Sequence, residues 1–155
     1  MTRPSRFFAA LPALAALLMS GLGTAAQAFQ LVTEQEAAAS RAAPEPLVPR
    51  TVPAPDAPRI NLVAPSLTAA VPSPTRIQVQ FQAAAPAAIK PESFRVRYGA
   101  LRLDITSRIT GAAKVTATGI DVAEAALPKG SHRLFIEIQD SAGRTAERQV
   151  QFVVE

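Results

Sequence analysis

The chain of 155 residues has no cysteine and no tryptophan, one histidine and one tyrosine. Without cysteine it forms no disulfide, offers no thiolate to a metal and carries no lipid on an N-terminal thiol. A single histidine, His132, supplies no cluster of imidazoles for zinc or copper. Asp104, Asp121, Glu137 and Asp140 are scattered, without the spacing of a calcium loop. No glycine-rich loop opens a helix, so there is no phosphate cradle. The expectation is therefore no metal, no cofactor and no catalytic residue. Lack of tryptophan, with Tyr98 on the inward side of an alternating run, also removes the aromatic platform on which sugars stack.

Charge of one sign is scarce too. Sixteen basic residues against twelve acidic ones give a net charge of +4. Two of the sixteen, Arg3 and Arg6, head an apolar leader, "MTRPSRFFAALPALAALLMSGLGTAAQA", residues 1–28. The remainder carries about +2, too little to bind the phosphates of a nucleic acid. The leader has a basic start, an uncharged run from Phe7 to Leu22 and small residues at Ala26 and Ala28. That is the pattern of a secretory signal cleaved after Ala28, and it predicts a periplasmic or secreted protein. No later run is long and apolar enough to span a bilayer, so no membrane span is expected after cleavage.

The rest divides into an N-terminal segment, residues 29–58, and a domain, residues 59–155. In "FQLVTEQEAAASRAA" Thr33 and Glu36 have capping-box spacing before an alanine-rich run, the signature of a short helix; alone it is too short to be stable, so the segment is expected to be a flexible, frayed terminus. Phe29, Leu31 and Val32 are apolar anchors for docking on a partner. "PEPLVPRTVPAPDAP", from Pro44 to Pro58, has six prolines in fifteen residues. It predicts an extended linker reaching about 45 Å at about 3.1 Å per residue.

From Arg59 onward, apolar and polar residues alternate between turn signals. Ile60 to Pro65 is a first strand. Ile77, Val79 and Phe81 share one face of a second, with Arg76, Gln78, Gln80 and Gln82 on the other. Phe94, Val96 and Tyr98 point inward on a third, with Arg95 and Arg97 outward. Leu101, Leu103 and Ile105 are expected inward on a fourth, after a tight turn at Tyr98-Gly99-Ala100. Short strands are expected around Ile109 and Val115, and another at Ile120 to Val122 followed by a helical turn. "HRLFIEIQD" and "RTAERQVQFVV" form the clearest hairpin. Leu134, Ile136 and Ile138 face Val150, Phe152 and Val154 in the core, and "DSAGR" makes the turn. About seven short strands spell an all-β fold, a two-sheet β-sandwich.

"PRINLVAPS", "SPTRIQVQF" and "LPKGSHRLFIEIQDSAGRTAERQVQFVV" resemble the immunoglobulin-like or fibronectin type III-like domains of secreted bacterial proteins. The match includes Leu127, Pro128, Gly130, His132, Leu134, Ile136, Ile138, Asp140 and Gly143, and covers about residues 58–155. It implies an immunoglobulin-like antiparallel sandwich of about seven strands. The chain departs from antibody-type domains in lacking the cysteine pair and core tryptophan. The resemblance also implies a structural task for His132, its ring packed and one nitrogen bonded to nearby backbone.

Ser131, His132 and Asp140 look like the parts of a hydrolase, but strand geometry separates them. Neighbours on a strand point to opposite faces, and His132 to Asp140 spans roughly 27 Å at about 3.4 Å per residue. A triad needs hydrogen-bond contact at both steps. Phe135 is the surface candidate, since it shares a face with Arg133, Glu137 and Gln139; it either marks an interface, is covered by a loop or the N-terminal segment, or is a lone exposed apolar residue. Arg95 and Arg97, with Arg76, are expected to form a basic stripe.

These residues predict a non-catalytic exported binding, assembly or adhesion module whose partner is another envelope protein. The alternatives are a small-molecule- or carbohydrate-binding accessory domain of an envelope enzyme or complex, and a structural spacer. The leader gives the first test: N-terminal sequencing of the exported protein is expected to read FQLVT, and a leader still attached would refute the cleavage site.

Overall fold

The computed structural model describes residues 28–44 and 54–155. The leader, residues 1–27, and the linker core, residues 45–53, lie outside the described residues. The elements are β1 (Phe29–Gln30), α1 (Glu34–Ala42), β2 (Arg59–Ala64), β3 (Thr75–Gln82), β4 (Ile89–Tyr98), β5 (Leu103–Asp104), α2 (Thr106–Ala112), β6 (Gly119–Ala126), β7 (Gly130–Asp140) and β8 (Thr145–Val154). They form two four-stranded sheets, β1-β6-β3-β2 and β5-β4-β7-β8. The architecture is an all-β sandwich.

Alternation builds the core. Ile77, Val79 and Phe81 of β3 and Ile120 and Val122 of β6 are buried, as are Phe94, Val96 and Tyr98 of β4 across from them. The rings of Phe81 and Phe94 meet between the sheets at 5.9 Å. The β7–β8 hairpin has the expected inward sets, Leu134, Ile136 and Ile138 with Val150, Phe152 and Val154. At its turn Gly143 has φ +79°, and the Asp140 carboxylate accepts from the N–H groups of Ala142 and Arg144. A short polar side chain that folds back on its own turn is why aspartate opens this one.

Four expectations for residues 59–155 are corrected. The stretch around Ile109 is helix α2, not a strand, and Val115 follows it in a loop. The Asp104 carboxylate accepts from Thr106 N–H at 2.8 Å, and Thr106 Oγ1 accepts from Val96 N–H at 2.9 Å. These two bonds fix the first turn, and Ile109 alone turns into the core. No strand-like periodicity survives in three-dimensional contact. Strand β6 continues to Ala126 where a helical turn was expected. Its register slips between Ile77↔Val122 and Thr75↔Ala125. This bulge places Ala123 and Glu124 side by side in solvent and brings Ala125 back inward, so the alternation breaks while the strand persists. Leu101 and Leu103 are exposed rather than inward, and only Ile105 of that run enters the core. Phe135 is the fourth correction and is treated below.

The N-terminal segment differs most. Expected as a flexible arm over residues 29–58, it is ordered over residues 28–44 as β1 and α1. Strand β1 pairs in parallel with the edge of β6, Phe29↔Ala125 and Gln30↔Ala126. Leu31, Val32 and Ala37 have no exposed surface. The capping box is present: Thr33 Oγ1 accepts from Glu36 N–H, and the Glu36 carboxylate accepts from Thr33 N–H. Helix α1 then sits against the β4–β5 turn. Ser40 Oγ accepts from Ala100 N–H at 3.1 Å, and a Cβ at Gly99 would lie 2.0 Å from that same Oγ. Gly99, at φ +68°, is the only residue type that admits both the turn and the helix.

Full burial of Leu31 makes the arm part of the core. Leu31→Ala is expected to lower unfolding free energy by about 2–5 kcal/mol, measured by urea denaturation. A loss below about 0.5 kcal/mol, the range of surface changes, would mean that the arm is not seated.

Candidate functional site

The place with the most built-in recognition is the free edge of the first sheet, where β1 is held. Leu31 N–H donates to Ala126 O at 3.0 Å, continuing the ladder one residue past β1. The carbonyl of Leu31 then accepts from Arg108 Nη1 at 3.1 Å. Arg108 also forks onto Glu36, with Nη1 to Oε2 at 2.8 Å and Nη2 to Oε1 at 2.6 Å. One guanidinium on α2 thus holds both the end of β1 and the first turn of α1. Arg108 bonding and the Thr33 N–H hold the Glu36 carboxyl down at about 2.

Strand β1 covers only Ala125 and Ala126. Thr116 bridges to Gly119, and beyond it, along Ile120–Glu124, the outer edge of β6 pairs with no strand among the described residues. Two of the other three edges are guarded, while the outer edge of β2 pairs with no strand among the described residues. On β8, Arg148 points inward among Val150 and Phe152, and its guanidinium donates to Ile60 O on β2 at 2.5 Å. An inward charge is a known guard against strand addition. Strand β5 is two residues long.

The interface candidates fall in two regions, the arm and the sandwich face. Leu31 and Val32 are buried within the chain's own fold, with Phe29 half-buried beside them. Their seat is this chain's β6 edge, so they are not free for a partner. Phe135 does not face solvent; it is 1% exposed. The Arg102 guanidinium lies 4.1 Å from its ring centroid and reaches Glu147 at 2.9 Å, closing a lid over the ring. Arg97 pairs with Glu137 at 3.1 Å and with Glu147 at 3.5 Å. Arg133, half-buried, is on the same face of β7. Arg95 is exposed and donates to the carbonyls of Glu92 and Phe94. Arg76 stands on the other sheet, paired with Asp121, so the three arginines make no continuous stripe. Arg108 and Glu36, which do the holding, were missed as a pair; the capping box pointed to Glu36, but nothing local points to Arg108, 72 residues away.

His132 is buried between the rings of Tyr98 and Phe152, each centroid 5.8 Å away. Its Nε2 lies 2.6 Å from Pro128 O. A carbonyl only accepts, so Nε2 carries the proton and Nδ1 accepts from the Tyr98 hydroxyl at 2.8 Å. The ring is neutral and fully bonded, with no free nitrogen for catalysis. Burial lowers its pKa, outweighing the Pro128 bond that raises it, and burial pushes Tyr98 up to about 12. Asp140, at the far end of β7, is buried. Burial alone would raise its pKa, but hydrogen bonds from the Arg144 backbone and guanidinium lower it on balance. Among the described residues no three His, Cys, Asp or Glu side chains are grouped to hold a metal.

These shifts give a pH dependence with a definite sign. His132 has a lowered folded-state pKa, so stability is complete above 6.5, its ordinary value. It falls as acid protonates the unfolded ring first. Glu36 adds stability that is present above 4.5 and is lost as pH falls to about 2. Urea melts across this range are expected to show two losses. Glu36→Gln should shrink the lower one, to which Asp140 also contributes, and leave the upper; an unchanged acid limb would contradict the clamp.

No protein-family model, curated protein or solved structure matches this chain.

Proposed function

We propose that this is an exported, non-catalytic binding and assembly module, periplasmic or secreted, that takes an extended segment of another envelope protein on the β6 edge. The fold supports an immunoglobulin-like reading. Strand order β6-β3-β2 against β4-β7-β8 is that of a sandwich of this class, and Val71 bridges in parallel to Val154 at the end of β8.

One observation carries the functional reading. The β6 edge already accepts an extended segment, β1, in parallel register with apolar side chains sunk behind it. Strand addition gains affinity from main-chain bonds and specificity from alternate side chains. Because β1 runs parallel to β6, residues before Phe29 would continue toward Glu124. Cleavage after Ala28 would end the strand there and leave Ile120–Glu124 open, up to the bridge between Gly119 and Thr116. A partner strand entering that space lies end to end with Phe29. Glu124 flanks it in solvent, favouring a segment with a basic residue near that end.

A photo-reactive amino acid at Ala123, on the open edge, is expected to cross-link an envelope protein in cells. The same group at Arg95, on the opposite sheet, should not. Equal capture from both positions, or none from Ala123, would remove the edge as the contact.

A further inference from the structure

We propose that the outer face of the β2–β3–β6 sheet binds a neutral glycan chain. This goes beyond strand addition at the edge and does not depend on it. A trough of about 600 Å³ crosses this face. Its floor carries the amides of Asn61, Gln78, Gln80 and Gln82, and one wall is the loop bearing Lys114 and Thr118.

The chemistry of this face sets it apart. None of the four amides makes a side-chain hydrogen bond with any described residue. Each offers two N–H donors and a carbonyl acceptor, and they are held in register. Asn61 lies across from Gln80, and Gln78 from Asp121. The acid of Asp121 is spent on Arg76.

The ligand class follows by complementarity. A row of neutral groups that both donate and accept matches hydroxyls, which do the same. Lys114 is the single cation lining the trough, too little for a polyanion such as nucleic acid. The trough presents no exposed large apolar side chain, so apolar peptide anchors gain nothing. Gln78 to Gln82 spans about 14 Å at about 3.4 Å per residue, the length of an oligosaccharide rather than one sugar. Without an aromatic platform, recognition is by hydrogen bonds alone, and affinity is correspondingly weak.

The test is a titration of the uniformly 15N-labelled protein with hexamers of glucose in α- and β-1,4 linkage and of N-acetylglucosamine, followed by NMR. At least one is expected to give saturable shifts centred on Asn61, Gln78, Gln80 and Gly119. Gln80→Ala should weaken that binding about twofold to tenfold, the worth of one hydrogen bond, without changing the melting temperature. Absence of saturable shifts with all three hexamers overturns the proposal. So do shifts centred elsewhere, or an unchanged affinity in Gln80→Ala. Cross-linking from Ala123 is unaffected by either result, so this proposal and the edge reading fail separately.

Discussion

The Arg108 guanidinium is the constraint on which the arrangement of the N-terminal half depends. Strand β1 ends inside the protein, at a leucine with no exposed surface. Its last carbonyl has no further strand to bond. A buried acceptor left unpaired costs about 1–3 kcal/mol, and burial of Leu31 and Val32 returns roughly 1.5–3 kcal/mol each. Nearly half of that gain would be lost without a donor at Leu31 O. Arg108 supplies it and uses its remaining N–H groups on Glu36, whose carboxylate also caps α1. The helix α2 exists in a strand-like sequence because Asp104 and Thr106 fix its first turn. Its role in the fold is to carry Ile109 inward and Arg108 toward the arm.

The same constraint decides which edges of the sandwich are open. An unpaired edge is an aggregation hazard unless it is covered, shortened or charged. This chain uses all three devices, with β1 over the end of β6, β5 cut to two residues and Arg148 turned inward on β8. Of the two stretches left, β2 and Ile120–Glu124, the second carries the unpaired acid Glu124 and holds the bulge at Ala123 and Glu124. A bulge twists the edge and spoils register for a second copy of the same strand, while leaving it open to a segment of matching shape. Selective exposure of this kind is what a binding module requires.

How far the sequence disclosed this depended on the range of the interaction. The β3 strand, the β7–β8 hairpin and the Asp140 turn were legible, because alternation and turn chemistry are local. The Thr33–Glu36 capping box was legible for the same reason, and it correctly marked a helix. The β6 strand was half legible, since the bulge breaks the period that reveals a strand. Helix α2 was hidden because β-branched residues there mimic a strand, and one of the two bonds that fix its first turn comes from Val96 on β4. Phe135 was misplaced because strand parity sets the face and not the cover. Its lid, Arg102, comes from another element. Leu31 and Val32 were recognised as anchors, but whether they anchor to a partner or to their own domain is a tertiary question.

The two outer faces of the sandwich then differ in what they leave for others. On the β4–β7–β8 face, Arg97, Arg102, Glu137 and Glu147 neutralise one another over Phe135. A partner that used these charges would first have to break existing pairs, and exposed pairs return little when remade. On the β2–β3–β6 face, the one ion pair sits at Arg76 and Asp121, and the amides beyond it have only water to give up. Binding gains most where displaced contacts are weakest and backbone edges are unpaired. Both conditions meet on the sheet that ends in β6, which places recognition there and leaves the opposite face to stabilise the fold.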